Sequence, residues 1–140
     1  MAAYEAAEQD FEPSGASVSV FAVTSDQERL ETAVALCDIS PRWPKDFDFV
    51  EFDEQDLAAV GAVSPVSSEG ETRCGLVNRR HFDVLLNGEQ RRQLIERIAE
   101  KLKAAGQPTV PRYRRKDIEK AVAASKYAWL SPNSPLRASA

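Results

Sequence analysis

Between positions 87 and 106 the apolar residues Leu94, Ile95, Ile98 and Leu102 recur at helical spacing, joined by Ala99 and Ala105, and predict one amphipathic helix. Asn87 is a good N-cap, and Gln90 stands where a capping box places its second partner. Gly106 suits the left-handed residue just past a helix end, and Pro108 prevents continuation. Burying the four large side chains would contribute on the order of 6 to 12 kcal/mol gross, an upper bound because the unfolded chain already hides part of that surface. Such a stripe needs an apolar partner elsewhere in the chain.

That partner is predicted to be a small sheet. Residues 17–24, SVSVFAVT, alternate and are rich in β-branched and aromatic side chains, the pattern of a strand. Ser25 then caps a helix with Glu28 three residues on, and Leu30, Ala33, Val34 and Cys37 share a face. A strand feeding straight into a helix is the first half of a βαβ or split βαβ unit. Residues 38–45 form a two-proline loop carrying Trp43, and residues 46–53, DFDFVEFD, a second strand whose alternation changes phase midway, as a bulge or a strand covered on both faces would require. Asp53 is expected to cap a short helix ended by Gly61, and residues 62–72 to form a loop.

Residues 73–78 and 81–86 are apolar runs, read either as two strands with a tight connection or as a strand followed by an extended lead into the main helix; the second is preferred. Residues 112–130 are predicted to be a second amphipathic helix, with Ile118, Ala121, Val122, Ser125 and Trp129 on one face. The fold expected is α/β or α+β, a small sheet covered by amphipathic helices, two of them in the C-terminal half. One globular domain is expected over residues 17–130, between a mobile acidic tail at 1–16 and a disordered tail at 131–140. Tyr4 and Phe11 qualify the first tail, since two aromatics there are expected to dock on the parent domain.

Charge sharpens this picture. Residues 1–72 hold 3 basic and 16 acidic side chains, a net of −13; the remainder holds 15 basic and 6 acidic, a net of +9. The plain expectation is that the two stretches lie against each other and neutralise. The functional alternative is an acidic face turned to a basic partner, and Asp46, Asp48, Asp53 and Asp56, with Trp43 as an apolar anchor, are the candidate contact residues.

Arg112, Arg114, Arg115 and Lys116 around Tyr113 supply a second candidate, because charge density beside a stacking aromatic suits nucleic acid. An acidic chain disfavours it, since non-specific affinity grows with the phosphates neutralised.

Enzymatic chemistry is not visible. The junction VTSDQE lacks the glycines of a phosphate loop, the acidic run lacks the glycine and glutamate spacing of a calcium-binding loop, and no Ser, Cys and acid set surrounds His81, the sole histidine. No metal or cofactor is implied. Cys37 and Cys74 form no CxxC pair and are expected to be core residues. No apolar run approaches a membrane span, which, with a start lacking a basic region or apolar segment, points to a cytoplasmic protein. The function expected is therefore a non-enzymatic protein–protein interaction module of inhibitor, immunity or adaptor type; a nucleic-acid binder is the alternative, and a small enzyme with an unrecognised site comes third.

Overall fold

The computed structural model describes residues 3–7, 17–39, 47–107, 112–125, 127–130, 134 and 136. Among these residues six strands form one sheet in the order β4-β5-β2-β1-β3-β6, every neighbouring pair antiparallel. They are β1 (Ala3–Ala7), β2 (Ser17–Val23), β3 (Phe47–Phe52), β4 (Val66–Ser67), β5 (His81–Leu85) and β6 (Arg112–Tyr113). Five helices among the described residues accompany them: α1 (Asp26–Asp38), α2 (Glu54–Ala59), α3 (Gly75–Arg79), α4 (Gly88–Ala104) and α5 (Arg115–Ser125). The class is α+β.

Period-two alternation explains the layering. Val18 and Val20 of β2 share a face with Val84 of β5 and Val50 and Phe52 of β3, and on that face lie Leu57 of α2 and Leu94 and Ile98 of α4. Phe21 points the other way, into a cluster with Ala35 of α1 and Val77 of α3. Ala33, Val34 and Cys37 of α1 pack there with Ile118, Ala121 and Val122 of α5. Helices therefore cover both sheet faces. β2 and β3 run parallel with β1 between them, which makes β2-α1-β3 a split crossover.

Several predicted elements differ. The segment expected to be a mobile tail supplies β1, paired on both sides, with Tyr4 buried against Phe52 and Phe82. Propensity for AYEAA is low, but two neighbours offering unpaired backbone outweigh it. In the other tail Ser134 and Leu136 are buried, and Leu136 joins the α1–α5 cluster. Residues 73–78 form no strand. Thr72 and Asn78 close a short helix instead: the Cys74 N–H donates to Thr72 Oγ1 at 3.1 Å, the Thr72 N–H to Asn78 Oδ1 at 2.8 Å, and Asn78 Nδ2 to the Thr72 carbonyl at 2.8 Å. Residues 112–113 leave the predicted helix for the sheet edge, and α5 starts three residues later than expected.

In α4 the caps are as predicted: Asn87 accepts from the Gln90 N–H, the Gln90 side chain accepts from the Asn87 N–H, and Gly106 has φ 75°. The buried stripe is narrower than expected. Leu94 and Ile98 are buried and Leu102 is partly so, whereas Ile95 is 45% exposed and Ala99 and Ala105 face outward. The helix meets the sheet along one line of i, i+4 positions. Ile98→Ala should accordingly cost about 2 to 5 kcal/mol in chemical denaturation, and Ile95→Ala less than about 1 kcal/mol; equal costs would mean that the helix is seated differently.

Candidate functional site

The acidic run does not form one face. Asp48 lies near the start of β3 and Asp53 just past its end, and five residues of extended chain separate two positions by roughly 16 Å, beyond a Debye length of about 10 Å. Asp48 is held by Arg112, with Nε–Oδ1 at 2.5 Å and Nη2–Oδ2 at 3.1 Å. Asp53 caps α2, its Oδ1 accepting from the Asp56 N–H at 3.0 Å while Asp56 Oδ2 accepts from the Asp53 N–H at 3.0 Å.

Asp56 itself is buried, with its Oδ1 2.6 Å from Arg97 Nε and its Oδ2 2.7 Å from Lys101 Nζ. Burial pushes its carboxyl up, but hydrogen bonds from Lys101, the Asp53 N–H and Arg97 outweigh that and hold it below the ordinary carboxylate value. Asp56 therefore leaves the set of candidate contact residues, because its oxygens point inward to cations of the second half. Trp43 and Asp46 lie outside the described residues.

The same pairing recurs across the charge divide. Arg80 reaches Glu31 at 3.0 Å and Glu28 at 3.7 Å, and Arg73 reaches the buried Asp38 at 3.4 Å. The basic segment is engaged as well. Arg112 serves Asp48, Arg115 serves Glu119 at 2.6 Å, and Tyr113 is stacked on Phe49 with ring centroids 5.3 Å apart, so one ring face is occupied. Arg114 and Lys116 are exposed at the start of α5, where Asp117 accepts from the Arg114 N–H at 3.0 Å.

What the topology does bring together is an acidic end. β2 and β3 run parallel, and each is followed at once by a helix with an acidic start. Asp26, Glu28 and Glu31 of α1 thereby share one end of the sheet with Glu51, Asp53 and Glu54. Four of these six ion-pair with arginines: Asp26 and Glu51 with Arg29, and Glu28 and Glu31 with Arg80. The Tyr4 hydroxyl donates a hydrogen bond to Glu54 Oε1 at 3.1 Å. Both strand–helix junctions are readable in sequence; their convergence depends on β1 lying between them.

Beside this end a cleft of about 460 Å³ opens between β3 and α4. Phe49, Phe52, Ile98 and Leu102 form its apolar walls, and Glu51 and Asp53 its acidic side. Arg29, Lys101 and Gln107 also border it.

His81 is buried on β5, its ring edge against Phe21 at 5.1 Å between centroids. Its Nδ1 lies 3.0 Å from both the carbonyl and the hydroxyl oxygen of Ser68, and its Nε2 is 4.0 Å from Asp83. Whether Nδ1 donates to the carbonyl or accepts from the hydroxyl follows the ring's tautomer. Together with the Ser68 N–H donating to the His81 carbonyl at 3.3 Å, the contact fastens the segment after β4 to β5. Cys37 and Cys74 are free thiols buried in different clusters, and burial pushes Cys37 up to about 12, far from a thiolate at neutral pH.

Among the described residues no group of three or more His, Cys, Asp or Glu is placed to hold a metal ion, and no helix is long and apolar enough to cross a membrane. No protein-family model matches the chain, and no significant similarity to a curated protein or a solved structure was found.

Proposed function

We propose that this protein is a non-enzymatic interaction module, of inhibitor, immunity or adaptor type, that binds a basic protein in the cytoplasm through the acidic end of its sheet. The observation that carries this reading is that the acidic starts of α1 (Asp26, Glu28) and α2 (Asp53, Glu54) lie at one end of the sheet with Glu31 of α1 and Glu51 of β3 beside them, six carboxylates of which four ion-pair with Arg29 or Arg80. Unbalanced like charge is tolerated at a solvated surface and steers an oppositely charged partner into register. Asp48 remains a peripheral candidate at the opposite end of β3, and Trp43 and Asp46 remain candidates from the sequence.

The test is capture of binding proteins from the native host by the wild-type chain and by a D26N/D53N/E54Q variant, followed by association kinetics with whatever is retained. Asn at position 53 keeps the helix cap. Association should slow roughly ten-fold or more at low ionic strength and much less at high ionic strength. Equal kinetics for both chains at low ionic strength would reject the acidic end as the contact surface.

Nucleic-acid binding through Arg112, Tyr113, Arg114, Arg115 and Lys116 is the alternative. It has less support because Arg112, Tyr113 and Arg115 already have partners within the chain. Retention on heparin or RNA that falls with salt and is lost in an R114A/K116A variant would favour it.

A further inference from the structure

We propose that His81 is a proton-operated latch that holds the segment after β4 on β5, closed while its imidazole is charged and loosened when the ring loses its proton. The segment is attached mainly by polar contacts. Val63 and Val66 are 60% and 55% exposed, and Ser67 and Glu69 are exposed as well. Beyond the short β4–β5 pairing, what holds it is the Ser68 N–H on the His81 carbonyl at 3.3 Å, the Gly70 N–H on the Asn78 carbonyl at 3.0 Å and the His81 ring on Ser68. Gly70 lies so close that a Cβ there would come within 3.1 Å of Asn78 Cα and Oδ1 and 3.3 Å of His81 Cβ, so the backbone rests directly on these two residues. A segment with so little apolar contact belongs to the part of a fold that opens locally at small cost.

The latch follows from matching donors to acceptors around the ring. Nδ1 lies 3.0 Å from both the carbonyl and the hydroxyl oxygen of Ser68, and Nε2 lies 4.0 Å, within ion-pair reach, from Asp83 Oδ1 on the same face of β5. A neutral ring carries one proton and serves one side. With the proton on Nδ1, the carbonyl is satisfied and the Nε2 lone pair faces a carboxylate. With it on Nε2, Asp83 gains a donor and Nδ1 accepts from the hydroxyl, but the Nδ1 lone pair then also faces the carbonyl. The imidazolium donates on both sides at once. Burial of His81 opposes the charge, and the carboxylate and the carbonyl favour it. Phe21 of β2, which meets the ring, and Asn78 of α3, which lies under Gly70, are uncharged. Arg80, the adjacent cation, is directed to Glu28 and Glu31, and Glu69, Glu71 and Arg79 are exposed. In the opened state the ring meets water, so the latch is complete while the ring is charged and is lost as the pH rises through the interval of roughly 5 to 8 in which histidines titrate.

The experiment is amide–water exchange of the isotopically labelled full chain, followed by NMR from about pH 5 to about pH 8 and expressed relative to an unstructured peptide at each pH, together with long-range proton–nitrogen spectra of the imidazole. Protection of the Ser68 and Gly70 amides should fall roughly three- to ten-fold over this range while that of Val20 in the middle of the sheet stays constant. His81→Gln, which has no proton to lose, should show no such fall, and Asp83→Asn should show a smaller one. Both ring nitrogens should carry protons at the low end of the range. Protection of Ser68 and Gly70 that does not change with pH, a fall that persists in His81→Gln, or a ring that stays neutral throughout would each overturn the latch. If His81→Gln does not fold, a fall in Asp83→Asn equal to that of the wild type overturns it, and a smaller fall supports it.

Discussion

A chain that begins at Ser17 should fail to fold. β1 sits inside the sheet, with Ala3, Tyr4 and Glu5 in register with Val23, Ala22 and Phe21 on one side, and Tyr4 to Ala7 with Phe52 to Phe49 on the other. β2 and β3 do not pair with each other, so removing β1 leaves two inward edges whose N–H and C=O groups have lost their partners. Each lost backbone hydrogen bond is worth only about 1 kcal/mol net, but each buried group left unsatisfied costs about 1 to 3 kcal/mol more.

Tyr4 adds to the loss. It is 7% exposed, its ring meets Phe52 and Phe82 at 6.0 and 5.9 Å, and its hydroxyl donates to Glu54. Truncating a buried aromatic side chain typically costs about 3 to 5 kcal/mol by itself. The combined loss is comparable with the roughly 5 to 15 kcal/mol that stabilises a domain of this kind. Circular dichroism and thermal melting should find no cooperative transition for residues 17–140, and Tyr4→Ala in the full chain should retain the transition at a lowered midpoint. A truncated chain that melts near the wild-type temperature would show that β1 contributes nothing to the sheet.

The elements legible in the sequence are those whose signals are local. Asn87 with Gln90, Gly106 beyond the helix end, Ser25 accepting from the Glu28 N–H and Asp53 before α2 are all contacts within four residues of chain, and each is present. Even here a detail shifts: Glu28 returns to the Thr24 N–H and hydroxyl, not to Ser25, so the predicted box is displaced by one residue. Long-range decisions were not legible. AYEAA becomes a strand because β2 and β3 flank it, and Leu136 is buried because α1 and α5 leave room for it. Ile95 and Leu94 look alike in a helical pattern, and only the sheet face decides which of them it meets.

The candidate site follows the same rule. Clustered carboxylates along residues 46–56 suggest one surface, but an extended strand spreads them and each finds a different environment: Asp48 with Arg112, Glu51 with Arg29, Asp56 in the interior. The expected neutralisation between charge halves is visible at Asp38–Arg73, Glu31–Arg80, Asp48–Arg112 and Asp56–Arg97. Which carboxylates stay outside that pairing is a property of topology, and no spacing along the chain encodes it.

Asp56→Ala should be among the most damaging single substitutions, at about 2 to 4 kcal/mol. Three contributions are lost together. The N3 half of the α2 capping box is lost, leaving the Asp53 N–H without its acceptor while Asp53 still caps the helix, and so are two charge-assisted hydrogen bonds from Arg97 and Lys101, each worth about 1.5 to 3 kcal/mol before allowance for solvent. The side chains of Arg97 and Lys101 are 41% and 50% exposed, so both cations can return to water once orphaned, which keeps the loss below the sum. A cost of 3 kcal/mol corresponds to a fall of about 10 °C in the melting midpoint of a chain this size.

Acid should act through the same group. The folded carboxyl titrates below its ordinary value of 3.8, so as pH falls the unfolded chain takes up the proton first. The stabilisation is therefore complete above the unfolded value and drains away as pH descends through the folded one. Asp56→Asn keeps the shape and a capping oxygen but has no proton to bind. It should be less stable than the wild type at neutral pH, and the difference between the two should shrink below about pH 4. Denaturation curves of both proteins across this range decide the matter: a constant difference at every pH would show that the Asp56 carboxylate does not owe its contribution to charge.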